Sequence, residues 1–231
     1  MRVVIFGASG MVGQGVLREC LADPGVERVL AVVRSPLGFA HEKLDEIVHG
    51  DFFDFTALEA RFAGWDACFF CLGVSSAGMT EEAYRRATYD IALSAARSLV
   101  RASPGMTFVY VSGAGTDSTE SGRTMWARVK GATENALLAL PLRDACMFRP
   151  GIIVPLHGIR SKTRVYRVFY AIIRPILPVA EALFPGHVTT TEQVGRAMIA
   201  VARKGAPKPV LESRDIRALG AGRGADIESM P

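Results

Sequence analysis

The first thirteen residues constrain this chain more than any other part of it. An apolar run, Val3-Val4-Ile5-Phe6, leads directly into Gly7-Ala8-Ser9-Gly10-Met11-Val12-Gly13 and then into an amphipathic stretch. A buried strand that ends in glycines spaced by three and feeds a helix is a specific combination. Gly7 permits the tight turn out of the strand, Gly10 lets backbone N–H groups approach an anion, and Gly13 lets the helix pack closely. The helix then presents its positive N-terminal end and its unsatisfied amides to the same point. The loop therefore reads as a cradle for the pyrophosphate of a dinucleotide, with Ser9, Met11 and Val12 supplying the remaining backbone contacts.

Beyond this loop, runs rich in Val, Ile and Phe alternate with helical periodicity, the pattern of a parallel sheet covered on both faces. Strands are expected at 3–6, 29–33, 46–49, 67–72, 107–111 and 145–148, with a late candidate at 209–212. Helices are expected at 12–21, 55–62, 80–102, 125–140 and 191–204. The fold class is α/β, a doubly wound parallel sheet of the Rossmann type, carried by one domain over 1–219. A small insertion at 158–186 breaks the alternation on the substrate side. The Gly-rich, charged stretch 220–231 lacks periodicity and is expected to be a disordered tail.

With 49% hydrophobic and 22% charged residues the chain has an ordinary globular composition. No uninterrupted apolar run reaches the length of a membrane span, and the first strand begins too early to leave room for a leader, so a cytoplasmic location is expected. The net charge of +4 is small, its excess of Lys and Arg falls after residue 150, and no nucleic-acid-binding motif is present; nucleic acid is not an expected partner. Cys68 and Cys71 form a CxxC inside an apolar strand, where their thiols point to opposite faces. That spacing fits core packing and not a metal, and no metal is expected.

The second strand ends Val32-Val33-Arg34-Ser35, without the carboxylate that binds a ribose 2′-hydroxyl. Arg34 instead attracts a 2′-phosphate, so NADP is the expected cofactor and NAD the alternative. After the third strand, Asp51 and the following backbone N–H of Phe52 are placed to hydrogen-bond an adenine. After the fourth, Leu72-Gly73 brings backbone close to the adenosine side.

Together with Cys71-Leu72-Gly73, the glycine loop, Val111-Ser112-Gly113-Ala114-Gly115, Val129-Lys130-Gly131 and Phe148-Arg149-Pro150-Gly151 form a recognisable set. Over about residues 1–204 the chain resembles an atypical short-chain dehydrogenase/reductase of the Tat-interacting-protein-like group, close to the NAD-dependent epimerase/dehydratase family. The resemblance implies an oxidoreductase or epimerase with a Ser, Tyr and Lys set beside the nicotinamide. Tyr would serve as acid or base, Lys would lower its pKa and hold the nicotinamide ribose, and Ser would orient the substrate oxygen. It places Ser112 and Lys130 in the catalytic set and adds Lys130, Pro150 and Gly151 to the cofactor contacts.

The tyrosine is missing. The stretch reads Trp126-Ala127-Arg128-Val129-Lys130, and an indole N–H donates a hydrogen bond but does not ionise. Tyr89, Thr124 and His157 are other proton carriers near the expected site. Because Trp126 replaces the acid, a non-catalytic dinucleotide sensor or scaffold is the alternative to an enzyme acting on an unidentified small substrate. Between 160 and 174, Arg160, Arg164, Arg167 and Arg174 align on one face of an expected amphipathic helix. That helix packs on its own domain, covers the substrate site, binds an anionic substrate or lies on an anionic membrane.

Overall fold

The computed structural model describes residues 1–159 and 186–221. Seven strands form one parallel sheet: β1 Arg2–Phe6, β2 Arg28–Val33, β3 Leu44–Val48, β4 Ala67–Phe70, β5 Thr107–Val111, β6 Asp144–Arg149 and β9 Val210–Glu212, in the order β3-β2-β1-β4-β5-β6-β9. Two short strands, β7 Ile152–Val154 and β8 Val188–Thr190, pair separately in parallel. The seven-residue and longer helices are α1 Met11–Ala22, α4 Ile91–Ala102, α5 Met125–Leu138, α6 Thr191–Lys204 and α7 Ser213–Gly220; α2 Glu59–Phe62 and α3 Glu81–Arg85 are short.

Strict alternation along the strands builds two separate cores. Val3, Ile5, Val29, Ala31, Val33, Phe69, Val109 and Phe148 face α1 and α6. Val4, Phe6, Leu30, Val32, Phe70, Phe108, Tyr110 and Met147 face the opposite layer, with Phe55, Phe62 and Leu99. Period-2 patterning buried on both faces makes the sheet doubly wound. Cys68 belongs to the second core while Cys71 packs on the first, so the two thiols of the CxxC lie in different layers.

α6 begins where expected because Thr190 and Gln193 close a capping box: Thr190 Oγ1 accepts from Gln193 N–H, and Gln193 Oε1 accepts from Thr190 N–H, both at 3.0 Å. Its crossing with α1 is close, since a Cβ on Gly195 would lie 2.9 Å from the Glu19 side chain. That glycine brings α6 down onto α1 behind the glycine loop.

Several elements depart from the expected boundaries; β7 and β8 were not among the expected strands, and the helix expected at 55–62 is α-helical only over Glu59–Phe62. β3 starts at Leu44 because it is an edge strand, where charged residues find lateral partners: Asp45 pairs with Arg28 and Glu46 accepts from Leu37 N–H. The helix expected at 80–102 is interrupted by a π turn over Arg86–Asp90. A final helix, α7, was not anticipated; Gly220, assigned to the tail, is buried at its end against Gln193. The expected basic helix at 160–174, and the tail beyond 221, lie outside the described residues. Among the described residues no helix is long and apolar enough to cross a membrane.

Candidate functional site

Strand order reverses between β1 and β4: the chain runs outward from β1 to β2 and β3, then crosses to β4 on the other side of β1. At such a switch point the loops at the carboxyl ends of the strands part and leave a crevice. Every candidate residue before the insertion follows the carboxyl end of a strand or sits on the helix facing it.

In the loop after β1 the three glycines do different work. Gly7 has φ +80°, and a Cβ there would sit 2.6 Å from Leu72 N, so both its conformation and the neighbouring β4 loop require glycine. A Cβ on Gly13 would penetrate the Gly7 peptide, 2.6 Å from its carbonyl carbon. Gly10 is open by comparison; its nearest neighbour would be the Gly7 oxygen at 3.3 Å. Gly10 is also the N-cap of α1, contributes no side-chain cap, and is followed by a first turn without acidic residues. The absence of a side chain at Gly10 and the uncapped amides at Met11 and Val12 leave backbone donors open to an anion, and these residues fit a pyrophosphate. The Ser9 carbonyl is held by Gln14 Nε2 at 3.0 Å, which fixes the turn.

Arg34 is exposed just after β2 and makes no ion pair with a described residue. Past β3, Asp51 Oδ1 accepts from Phe53 N–H at 2.8 Å, and Phe52 is buried against Phe55. The Asp51 carboxylate therefore shapes the loop with one oxygen and keeps the other, while Phe52 offers only its backbone. Leu72 is half-buried beside Gly7, and Gly73 is exposed with no atom near its Cβ position.

On the β5 and β6 side, Ser112 is buried, and both its N–H and its Oγ donate to the Phe148 carbonyl, at 2.8 and 3.1 Å. Ala114 N–H donates to the Pro150 carbonyl at 2.9 Å, so the loops after β5 and β6 are laced together. Gly151 sits against the His187 carbonyl, and its N–H donates to Ser213 Oγ at 2.7 Å. Lys130, on α5, donates from Nζ to the Ser112 carbonyl. Burial of this ammonium pushes its pKa down to about 8, with the Glu134 charge opposing the shift.

One turn before Lys130, the half-buried Trp126 stands with its six-membered ring 3.6 Å from where a Gly115 Cβ would be. The glycine at 115, φ +84°, accommodates both the turn and the indole. The other proton carriers are dispersed. Tyr89 lies in the π turn under the Arg85 guanidinium, 3.9 Å from its ring centroid. Thr124 occupies the N-cap of α5 without making a side-chain cap bond. His157 Nε2 is 2.9 Å from Glu192 Oε2, and Glu192 also pairs with Arg196.

Two features escaped sequence reasoning. Glu134, almost fully buried, binds Arg149 through Nε at 3.1 and 3.2 Å, and Arg149 also reaches Ser118 Oγ, fastening α5 to the end of β6 and the loop after β5. Its signal was a lone acid inside the buried stripe Val129, Ala132, Thr133 and Leu137. The second is Thr88, whose buried Oγ1 has no hydrogen-bond partner among the described residues; nothing in the sequence marks the π turn that carries it.

Comparison with known proteins bears on the family and the fold. A family model described as NAD(P)H-binding matches residues 7–139. The rat Protein HTATIP2 is 30% identical over 155 residues, which span 66% of this chain and 62% of that protein, short of two thirds of its length. Protein FMP52, mitochondrial, of Saccharomyces cerevisiae is 28% identical over 167 residues, 71% of this chain and 69% of that protein. Among solved structures, a double mutant of the dTDP-glucose 4,6-dehydratase DesIV from Streptomyces venezuelae, with NAD and DAU bound, superposes with a TM-score of 0.67. It shares 17% identity and covers 96% of this chain and 79% of its own, a likeness of fold alone.

Proposed function

The chain belongs to the NAD(P)H-binding family, and we propose that it binds NADP in preference to NAD and acts as an oxidoreductase or epimerase of the atypical short-chain dehydrogenase type on a small substrate. The observation that carries the reading is the division of labour in the glycine loop: Gly7 and Gly13 are filled by the protein's own backbone, whereas Gly10 opens onto uncapped amides of α1. Met11 and Val12 N–H would hold the pyrophosphate, Asp51 and the Phe52 N–H the adenine, Leu72-Gly73 the adenosine side, and Lys130 with Pro150-Gly151 the nicotinamide end. When bound, the nicotinamide supplies hydride chemistry. Ser112 Oγ, whose hydrogen is engaged by the Phe148 carbonyl, would meet a substrate only as an acceptor.

Arg34 supports the choice of NADP, because an exposed guanidinium at the end of β2, with no counterion among the described residues, is available to a 2′-phosphate. NADPH should bind roughly 5- to 150-fold more tightly than NADH, about 1–3 kcal/mol for a charge-assisted contact. Calorimetry on the wild type and on Arg34→Ala tests this; equal affinities, or a preference that survives Arg34→Ala, would remove it. Trp126 favours a second reading, a dinucleotide sensor without turnover, which predicts binding without reduction of any carbonyl. Cytoplasmic residence belongs to the same proposal; the FMP52 relative is named as mitochondrial, and cell fractionation decides between the two compartments.

A further inference from the structure

Resting on that cofactor reading, we propose that Lys130 itself performs the proton transfer at this site, donating from Nζ to the substrate oxygen during reduction and accepting it back during oxidation. Four observations lead there. Lys130 follows Trp126 by one helical turn, so the two side chains share a face of α5 and the ammonium is next to the position where an acid is missing. Its Nζ is held at the carboxyl end of β5, the switch-point end of the sheet, by the Ser112 carbonyl, which uses one of its three N–H donors and leaves two without a partner among the described residues. Trp126 does not ionise, and the Ser112 hydroxyl donates to Phe148. Tyr89 is stacked under Arg85 and His157 is held by Glu192.

The fourth observation is electrostatic. No carboxylate pairs with Lys130 among the described residues. Glu134, one turn further along α5, is bound by Arg149 of β6; Asp117 in the loop after β5 accepts from Thr119 and Gly122, Arg128 of α5 pairs with Glu81, and Tyr110 on β5 and Tyr84 on α3 are buried phenols. An ammonium half-buried without a counterion holds its proton weakly, and its pKa near 8 matches a donor working close to neutral pH. The step balances. As the substrate carbonyl carbon receives hydride from the reduced nicotinamide cofactor, its π pair moves onto oxygen and the Nζ–H bond breaks toward that oxygen. The neutral amine regains its proton from water.

The test follows Lys130 in the full chain labelled with 13C,15N-lysine, its signals identified by their loss in Lys130→Arg. Lys130 should titrate near pH 8, and saturating oxidised cofactor, with its cationic nicotinamide, should lower that value by about half a unit or more while reduced cofactor does not. Reduction of a carbonyl substrate should fall as pH rises through 8. Lys130→Arg, which keeps the charge and cannot release a proton, should lose about 10²-fold or more in kcat with less than a tenfold loss of cofactor affinity. Titration in the ordinary lysine range, an identical response to both cofactor redox forms, or an Arg variant with undiminished kcat would each overturn the proposal. Failure of either cofactor form to bind overturns the cofactor reading, and this inference with it.

Discussion

The pair that joins α5 to β6 gives the clearest test of how the site is held together. Glu134 is 1% exposed and Arg149 13%, with Nε within 3.2 Å of both carboxylate oxygens. Glu134→Gln preserves shape but strands a guanidinium that is mostly out of water. Removing one partner of a buried pair costs about 3–5 kcal/mol. Arg149 keeps a little solvent and the distant, half-exposed Glu212 at 3.8 Å, which places Glu134→Gln at about 3 kcal/mol, the low end of that range. Arg149→Met leaves a carboxylate with almost no solvent and belongs at the high end, about 5 kcal/mol. For a chain of this size the two correspond to roughly 6–20 °C in Tm. The double variant Glu134→Leu/Arg149→Met should recover most of the loss, because two apolar side chains of similar volume replace the charges together. Urea melts of all three variants provide the measurement. If both single variants stay within about 1 kcal/mol of the wild type, or if the double variant loses the sum of the two, the pair is not what fastens the loops after β5 and β6.

Two further outcomes follow from the same region. The lowered pKa of Lys130 means that the folded chain binds fewer protons than the unfolded chain between about pH 8 and 10.5, so stability rises with pH across that window and the full cost applies below pH 8. At 1.36 kcal/mol per pH unit that cost is about 3 kcal/mol, and Lys130→Met should therefore raise stability at pH 7 by roughly 2–3 kcal/mol, read from urea midpoints; unchanged or lowered stability contradicts the burial argument. Trp126→Tyr puts a phenol one turn before Lys130, and NADPH-dependent reduction of a generic aldehyde should rise about tenfold or more; an unchanged rate shows that position 126 does not face the reacting carbonyl.

Much of this was legible in the sequence because it depends on local spacing. The alternation in Val3-Val4-Ile5-Phe6 and in Thr107–Val111 dictates two buried faces whatever the rest of the chain does, and the glycines at 7, 10 and 13 specify a turn, an opening and a close packing. Thr190 and Gln193 announce the start of α6 by chemistry confined to one helical turn. What was not legible depends on partners distant in sequence. The length of β3 is decided by Arg28 reaching Asp45 across the sheet, and the lone acid Glu134 in its buried stripe gives no hint that its partner is Arg149 of β6. The π turn at Arg86–Asp90 has no proline or glycine to mark it. Ser112 was correctly placed at the end of β5, but the engagement of its hydroxyl by Phe148 required the register of β5 against β6.

In the proposed function the loop Gly7 to Gly13 holds a dinucleotide through the opening at Gly10. Calorimetric titration of NADPH into the wild type and into Gly10→Val, with thermal melts of both, tests it most directly. A Cβ at 10 has only the Gly7 oxygen within 4 Å among the described residues, at a tight 3.3 Å that the loop meets by yielding a few tenths of an ångström, so the variant should fold with a modest loss in Tm. Standing between the α1 amides and the pyrophosphate, it should abolish the saturable one-to-one binding expected of the wild type. A wild type that takes up no NADPH, or a folded Gly10→Val that binds it as well as the wild type does, would contradict the account.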